Sequence, residues 1–322
     1  MKGITDYEKV FQNIVKRTSD YICSNNLKCM VLGISGGIDS TVVAAICHEV
    51  SKRVGIPLIG RSLPTNFNKA GETSAADLVG KAFCNSYGIA GIHSTFLKLV
   101  STITTSENNI TDHKHTQTDI ANGNIQARIR MLYLYNLASI HKGLVIDTDN
   151  LTENNLGYFT IHGDVGDFNP IGGLWKTEVF ELAKWLKDHY WEECEHIHAQ
   201  ESSNEVCKQY VRMRYKFEAL NASLQLKPTA GLGITDSDLD EIGADSYDQV
   251  DYILQEILAW KKFKTNQGFD SFTEINCENF LAEQQILNIP TKIVVEVAKR
   301  HFASEFKRKQ LPVKIKRNEI VL

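Results

Sequence analysis

The stretch Cys29-Met30-Val31-Leu32-Gly33-Ile34-Ser35-Gly36-Gly37-Ile38-Asp39-Ser40 decides the fold. Its first six residues form a short apolar run that reads as a buried strand. Ser35-Gly36-Gly37 is a turn, and residues 39–54 read as a helix that stops at Gly55. Strand, glycine turn and helix in that order let successive backbone N–H groups converge on an anion, with the positive end of the helix behind them. Asp39 beside that point can hold a Mg²⁺ that shares charge with phosphate oxygens. No Gly-Lys-Ser/Thr follows, so the loop is not of the Walker type. The pattern G-x-G-x-x-G is also missing, which speaks against a dinucleotide-binding dehydrogenase.

Upstream, Tyr7, Val10, Phe11, Ile14, Val15, Tyr21 and Ile22 recur at helical spacing and predict an amphipathic opening helix. Downstream, a second strand is expected at 57–63, a helix at 70–87 and a weaker third strand at 89–93. Strands and helices alternating at this pace imply an α/β fold with a parallel twisted sheet and right-handed crossovers. Residues 104–118 are polar and read as a mobile surface loop. A helix at 119–141, the strand Leu144-Val145-Ile146, a Gly- and Asp-rich stretch at 157–175 and a helix at 176–190 follow. The segment 191–225 reads as an extra helix flanked by polar loops, and 278–308 as a helical region ending in a basic tail. No internal repeat is present, and the whole chain, 1–322, reads as one domain.

Composition narrows the function classes. With 322 residues, 43% of them hydrophobic, the chain can bury a sizeable core. Lys and Arg number 35 against 39 Asp and Glu, a net charge of −4, which leaves no basic excess for a nucleic-acid backbone. No apolar run approaches the roughly 20 residues of a membrane span, and Lys2, Asp6, Glu8 and Lys9 interrupt any signal-peptide core. A soluble, cytoplasmic protein is expected, with no membrane or nucleic-acid partner. Seven cysteines without a C-x-x-C pair read as reduced thiols. Cys194, His196 and His198, and the pair His113 and His115, lie in polar sequence and read as solvated loops rather than metal ligands. The sequons at Asn109, Asn150 and Asn221 carry no weight in such a compartment.

The hexapeptide from Ser35 to Ser40 resembles the pyrophosphate-binding loop of N-type ATP pyrophosphatases, which split ATP into AMP and pyrophosphate to activate a carbonyl oxygen. Within that group, Asn122-Gly123-Asn124-Ile125-Gln126-Ala127-Arg128-Ile129-Arg130 resembles the NAD synthetases. So do Asp147-Thr148-Asp149-Asn150-Leu151-Thr152-Glu153-Asn154, the stretch from Gly163 to Ile171, Leu174-Trp175-Lys176-Thr177-Glu178-Val179, Lys227-Pro228-Thr229-Ala230-Gly231-Leu232 and Phe306-Lys307-Arg308. The matches run in order over most of the chain.

The resemblance implies an adenine nucleotide alpha-hydrolase-like fold and amidation of deamido-NAD by ammonia, through an adenylate, to NAD, AMP and pyrophosphate. It implies that Gly33, Ile34, Ser35, Gly36, Gly37, Ile38, Asp39, Ser40, Arg61, Thr148, Lys176 and Thr229 bind ATP, and that Asp39 and Glu153 bind Mg²⁺. Arg128, Asp167 and Lys307 would bind deamido-NAD, and Asp164 would hold the ammonia. Asp39, Glu153, Asp164 and Lys176 form the implied catalytic set, in a homodimer. Local physics agrees in places. Glu153 follows a buried strand, at the sheet edge where open α/β folds bind ligands. Lys176 opens a helix, where a cation opposes the macrodipole unless it meets phosphate.

There are departures from the family pattern. Ile161-His162 precede Gly163 where many members carry lysine, and Phe306 replaces the histidine of the tail pair, so only Lys307 is carried over. One helix precedes Ser35, so free ammonia rather than glutamine is the expected nitrogen source. An RNA-modifying relative would need a basic face or a cysteine pair. A non-catalytic nucleotide sensor would not need to retain both Asp39 and Glu153.

Overall fold

The computed structural model describes residues 4–106, 115–199, 203–228, 237–269, 274–308, 313–314 and 317–320. In chain order these form α1 (Tyr7–Ser24), β1 (Met30–Gly33), α2 (Ile38–Val54), β2 (Leu58–Ser62), α3 (Ala70–Phe83), β3 (Ser86–Ile89) and α4 (His93–Ser106). Then come α5 (His115–His141), β4 (Leu144–Ile146), α6 (Leu151–Leu156), β5 (Phe168–Asn169), α7 (Lys176–His198) and α8 (Asn204–Gln225). The C-terminal part holds α9 (Asp238–Ile242), α10 (Tyr247–Asn266), α11 (Cys277–Glu283), α12 (Thr291–Ala303), α13 (Glu305–Arg308), β6 (Val313–Lys314) and α14 (Arg317–Ile320).

The six strands form one parallel sheet in the order β3-β2-β1-β4-β5-β6. Met30 pairs with Leu58 on one side and with Leu144 on the other, so the chain reverses its direction of travel across the sheet at β1. The crevice outside the carboxyl ends of β1 and β4 is therefore the switch point where such sheets take ligands. Side chains alternate between the faces, as a strand with period two requires. Met30, Leu32, Leu144 and Ile146 pack with α1, α2 and α7. Val31, Ile59 and Val145 pack with Phe96 of α4 and Ile129 and Leu134 of α5. A separate cluster, with Val250, Ile253, Leu254 and Val297 at its centre, joins α10 to α12 and to Leu156 and Trp175.

The structure moves several expected boundaries. The third strand lies at Ser86–Ile89 and α3 ends at Phe83, because Cys84 turns extended and Tyr87 lies against Gly80, where a Cβ would meet its ring at 2.2 Å. The expected loop at 104–118 is helical up to Ser106 and again from His115, and only 107–114 lie outside the described residues. The segment 191–225 is not one helix between loops. α7 continues to His198, and α8 is a second long helix whose Ala219 and Leu220 are fully buried. The region 278–308 divides into three helices, since Gln284 leaves helical geometry and Pro290 opens the next helix.

Candidate active site

β1 delivers the chain into the glycine turn. Gly36 sits at φ +87°, and a Cβ there would lie 2.5 Å from Glu72 O and 2.6 Å from Ala76 N. Only glycine combines that left-handed backbone with so close an approach to α3. Ser35 Oγ accepts the Gly37 N–H at 3.2 Å and lies 3.0 Å from Ser40 Oγ. The hydroxyls of Ser40 and Thr41 donate to Gly37 O at 3.0 and 2.9 Å. Gly37, the N-cap of α2, has no side chain to cap the helix, so the positive end is left for a ligand.

An open cavity of about 300 Å³ faces this turn. Its wall includes Gly33 to Ser40 with Gly36 excepted, and also Arg61, Thr148, Glu153, Asp164 and Lys176. Gly36 stands behind the wall and shapes it. Arg61, on β2, is tethered by its guanidinium to Gly60 O at 2.7 Å and Ser86 O at 3.2 Å.

Three ionisable side chains meet at one corner. Lys176 Nζ donates to Asp39 Oδ2 at 2.6 Å and to Glu153 Oε1 at 2.8 Å, with only 2% of the lysine side chain exposed. Burial by itself lowers the lysine pKa, but Asp39 and then Glu153 outweigh it and hold the ammonium well above its ordinary value. Asn150 completes the corner. Its Nδ2 donates to Asp39 Oδ1 at 2.9 Å, its Oδ1 accepts the Glu153 N–H at 3.0 Å, and its own N–H reaches Glu153 Oε2 at 3.3 Å. This is a capping box at the start of α6, in which the helix cap also fixes both carboxylates. Asn150 thus has a place at the site that its sequon did not suggest; the Asn-x-x-Glu spacing was the readable signal.

Asp164 and Arg130 also line the cavity. Solvent reaches Asp164 through the opening, yet protein crowds its carboxyl, and that crowding pushes it up to about 6. The Thr160 N–H, donating to Oδ1 at 2.6 Å, and then Lys307 and Arg130 act in the opposite direction. Arg130, one turn-mate of the predicted Arg128, lines the cavity and donates to Leu63 O at 3.1 Å. The family motif points to Arg128 for deamido-NAD, and the arginine that lines this cavity is its neighbour Arg130. Arg128 is exposed, outside the wall, and reaches Ile161 O at 3.3 Å.

Two further expected residues are also set back. Asp167 accepts from Tyr135 OH of α5 and from the Val145 N–H of β4, each at 2.9 Å, so one oxygen is held by a helix side chain and the other by the strand backbone. Lys307 donates to Gly157 O and Phe159 O, each at 2.9 Å, and so fastens α13 to the end of α6. Burial lowers its pKa, against the pull of Asp164 and Asp149. Thr229 lies outside the described residues; Lys227 and Pro228 just before it line the cavity. No group of three or more His, Cys, Asp or Glu side chains spaced to hold a metal occurs among the described residues.

A parallel sheet with an uncapped glycine turn after its first strand, facing a lysine shared by two carboxylates, is an adenine nucleotide alpha-hydrolase-like fold. Residues 10–311 match the family model described as NAD synthase, and the chain belongs to that family. The NH(3)-dependent NAD(+) synthetase of Pyrococcus furiosus is 30% identical over 97% of this chain and 97% of its own length. The protein of the same name from Campylobacter jejuni is 37% identical over 57% of this chain and 70% of its own length. Among solved structures, NMN synthetase from Francisella tularensis matches with a TM-score of 0.65 at 24% identity, over 96% of this chain and 98% of that one. The NH3-dependent NAD synthetase of Campylobacter jejuni matches with a TM-score of 0.58 at 22% identity, over 97% and 100%. These two share the fold.

Proposed function

We propose that this protein amidates deamido-NAD with ammonia, at the expense of ATP, to give NAD, AMP and pyrophosphate. The observation that carries the reading is the corner where Lys176 bridges Asp39 and Glu153 beside the uncapped end of α2. The nicotinate carboxylate attacks the α-phosphorus of ATP, and pyrophosphate leaves. Ammonia then attacks the adenylated carbonyl carbon, and AMP leaves as the amide forms. The turn from Ser35 to Ser40 receives the pyrophosphate on backbone N–H groups, with Arg61 and Thr148 on the nucleoside side and Thr229 completing the ATP set. Lys176 offsets the charge that gathers on the leaving oxygens. Positioning and charge compensation of this kind supply most of the barrier lowering in phosphoryl chemistry.

Asp39 and Glu153 fit Mg²⁺: two hard carboxylate donors already converge on one cationic centre, and phosphate oxygens and water fill the remaining positions of such sites. Asp39 and Glu153 would hold the ion there, and it would supply positive charge to offset that of the phosphates. At the other end Asp164, ionised above about pH 6, binds ammonium and takes its proton, freeing the lone pair that attacks. Arg128, Asp167 and Lys307 belong to the deamido-NAD side.

A homodimer suits that side. Leu132 and Ile140 are 68% and 64% exposed on α5, the helix that carries Arg128, and Leu97 of the adjoining α4 is 52% exposed. A second copy covering these residues would bring Arg128 into an enclosed site. The seven cysteines are all free thiols, which suits the cytoplasm. Among the described residues no helix is long and apolar enough to cross a membrane.

Purified protein given ATP, Mg²⁺, deamido-NAD and ammonium is expected to form NAD and AMP in equal amounts, measured by chromatography. Because the Francisella relative bears the name NMN synthetase, nicotinate mononucleotide is run in parallel, with little amide expected. Ammonia-free glutamine is expected to support almost no turnover. Failure to release AMP with any of these acceptors would sink the reading.

A further inference from the structure

Lys176 and Glu153 sit on different helices, and their spacing is set by a side chain from a third. Lys176 is the first residue of α7, whose N-cap is Trp175. An indole only donates, so it cannot accept the helix's first N–H groups. Those groups are satisfied from outside. The Lys176 N–H donates to Thr152 Oγ1 at 2.8 Å, and the Thr177 N–H donates to Asp251 Oδ2 at 3.1 Å. Thr177 Oγ1 donates to the same oxygen at 2.8 Å, and the Thr152 hydroxyl donates to Asp251 Oδ1. Asp251 therefore holds the residue after Lys176 with one oxygen and the residue before Glu153 with the other.

The clamp is rigidly mounted. Asp251 is 2% exposed on α10, next to Val250 and two residues before Ile253, both fully buried. α6 has only six residues, so Thr152 and Glu153 move together. Three hydrogen bonds and the N-terminal end of α7 stabilise the carboxylate, rather than a cation. Burial pushes the Asp251 carboxyl up to about 6, with Thr152 and Thr177 pulling it back. Among the described residues no cation pairs with this carboxylate, and burying it costs stability compared with an apolar residue of the same shape. Its contact with both catalytic helices gives it a reason to be there.

We propose that Asp251 is a positioning residue for adenylation, which keeps Lys176 and Glu153 in register through Thr177 and Thr152. The proposal rests on the synthetase reading above. It accounts for what the C-terminal helices contribute to a site built at the sheet: α10 sets the geometry at the ATP end.

The test compares Asp251→Asn, Thr152→Val, Thr177→Val and Thr152→Ser, each measured per folded protein after a melting curve. Displacing a charged group by an ångström or so costs on the order of 10- to 100-fold in rate. The turnover number for AMP formation is expected to fall by about that factor in Asp251→Asn and in Thr152→Val. Thr177→Val keeps its N–H bond and should lose less, under about tenfold, and Thr152→Ser keeps the hydroxyl and should stay within about threefold of wild type. The KM for deamido-NAD should not move. Normal turnover in folded Asp251→Asn or Thr152→Val would overturn the proposal, as would a parallel loss in Thr152→Ser. If Asp251→Asn does not fold, Thr152→Val decides. An inactive wild type counts against the synthetase reading alone. A crystal structure of Thr152→Val then decides the clamp, and Lys176 Nζ still 2.6 Å from Asp39 and 2.8 Å from Glu153 would reject it.

Discussion

The two ends of the cavity are built on different principles. At the ATP end, eight consecutive residues from Gly33 to Ser40 make the turn, and seven of them face the cavity. The residues proposed for the nicotinate side, Arg128, Asp164, Asp167 and Lys307, come from α5, from the loop before β5 and from α13. Of these four only Asp164 lines the cavity of a single chain. Phosphate is recognised by backbone N–H groups, which a short turn can aim by itself. A planar aromatic acid needs side chains, which distant segments must bring together. The turn takes its residues from one stretch of chain, whereas the side chains proposed for nicotinate are scattered, with Arg128 on the helix that exposes Leu132 and Ile140.

Lys176→Met tests the ATP end most severely. Lys176 donates to both Asp39 and Glu153, so AMP formation is expected to fall by about 10²- to 10³-fold. Single-turnover release of pyrophosphate reads this directly. A variant within tenfold of wild type would remove the lysine from the chemistry.

Gly36→Ala should be the next largest change. The left-handed backbone costs about 1–2 kcal/mol for alanine, and the clash with Glu72 O and Ala76 N adds to it. A stability loss of about 2 kcal/mol or more is expected in urea titration, with weaker ATP binding. Gly55→Ala is the control. It shares a positive φ of +78°, but a Cβ there meets nothing within 4 Å, so it should cost less and leave ATP binding alone.

Asp164→Asn sharpens the other end. Folding raises the Asp164 pKa from 3.8 to about 6, so the carboxyl is protonated below that range and cannot take a proton from ammonium. The rate of amide formation should fall below about pH 6 in the wild type, and this limb should vanish in the variant, whose turnover is lower throughout. The same shift has a stability sign. The folded state holds the proton more tightly, so this contribution is present below pH 3.8 and is lost as pH rises through about 6. Asp251 acts in the same window, with a pKa raised from 3.8 to about 6, so Asp164→Asn removes only part of the slope.

The smallest effect is expected from Leu132→Glu on the exposed face of α5. At 68% exposure the substitution should barely change the stability of one chain. If a second copy completes the nicotinate end, sedimentation should show monomers, and the KM for deamido-NAD should rise several-fold while the KM for ATP holds. An unchanged dimer would place the interface elsewhere.

How much of the site could be read from sequence follows the same division. Ser35 to Ser40 were readable because the physical requirement is local: a short strand, two glycines and a helix start. Asp39 and Glu153 are expected from the family motifs to hold Mg²⁺ and Lys176 to meet phosphate; the structure places Lys176 within hydrogen-bonding distance of both carboxylates. Asn150 was passed over because it was weighed as a modification site and not as a helix cap. Arg130 was passed over because two arginines, two positions apart on one helix, differ in direction only once the helix packs. Asp251 had no local signal, since its partners Thr152 and Thr177 lie 99 and 74 residues away.

The sequence by itself determined the parallel α/β architecture, the anion-binding turn and the family. Each is written in short-range patterns: period-two and helical spacing, φ-permissive glycines and contiguous motifs. Only the tertiary structure decided which carboxylates share Lys176, which arginine faces the cavity and which distant aspartate holds the lysine in place. Those outcomes depend on how helices far apart in the chain pack against the sheet. Packing is a sum of many small long-range contacts that no local stretch of sequence encodes.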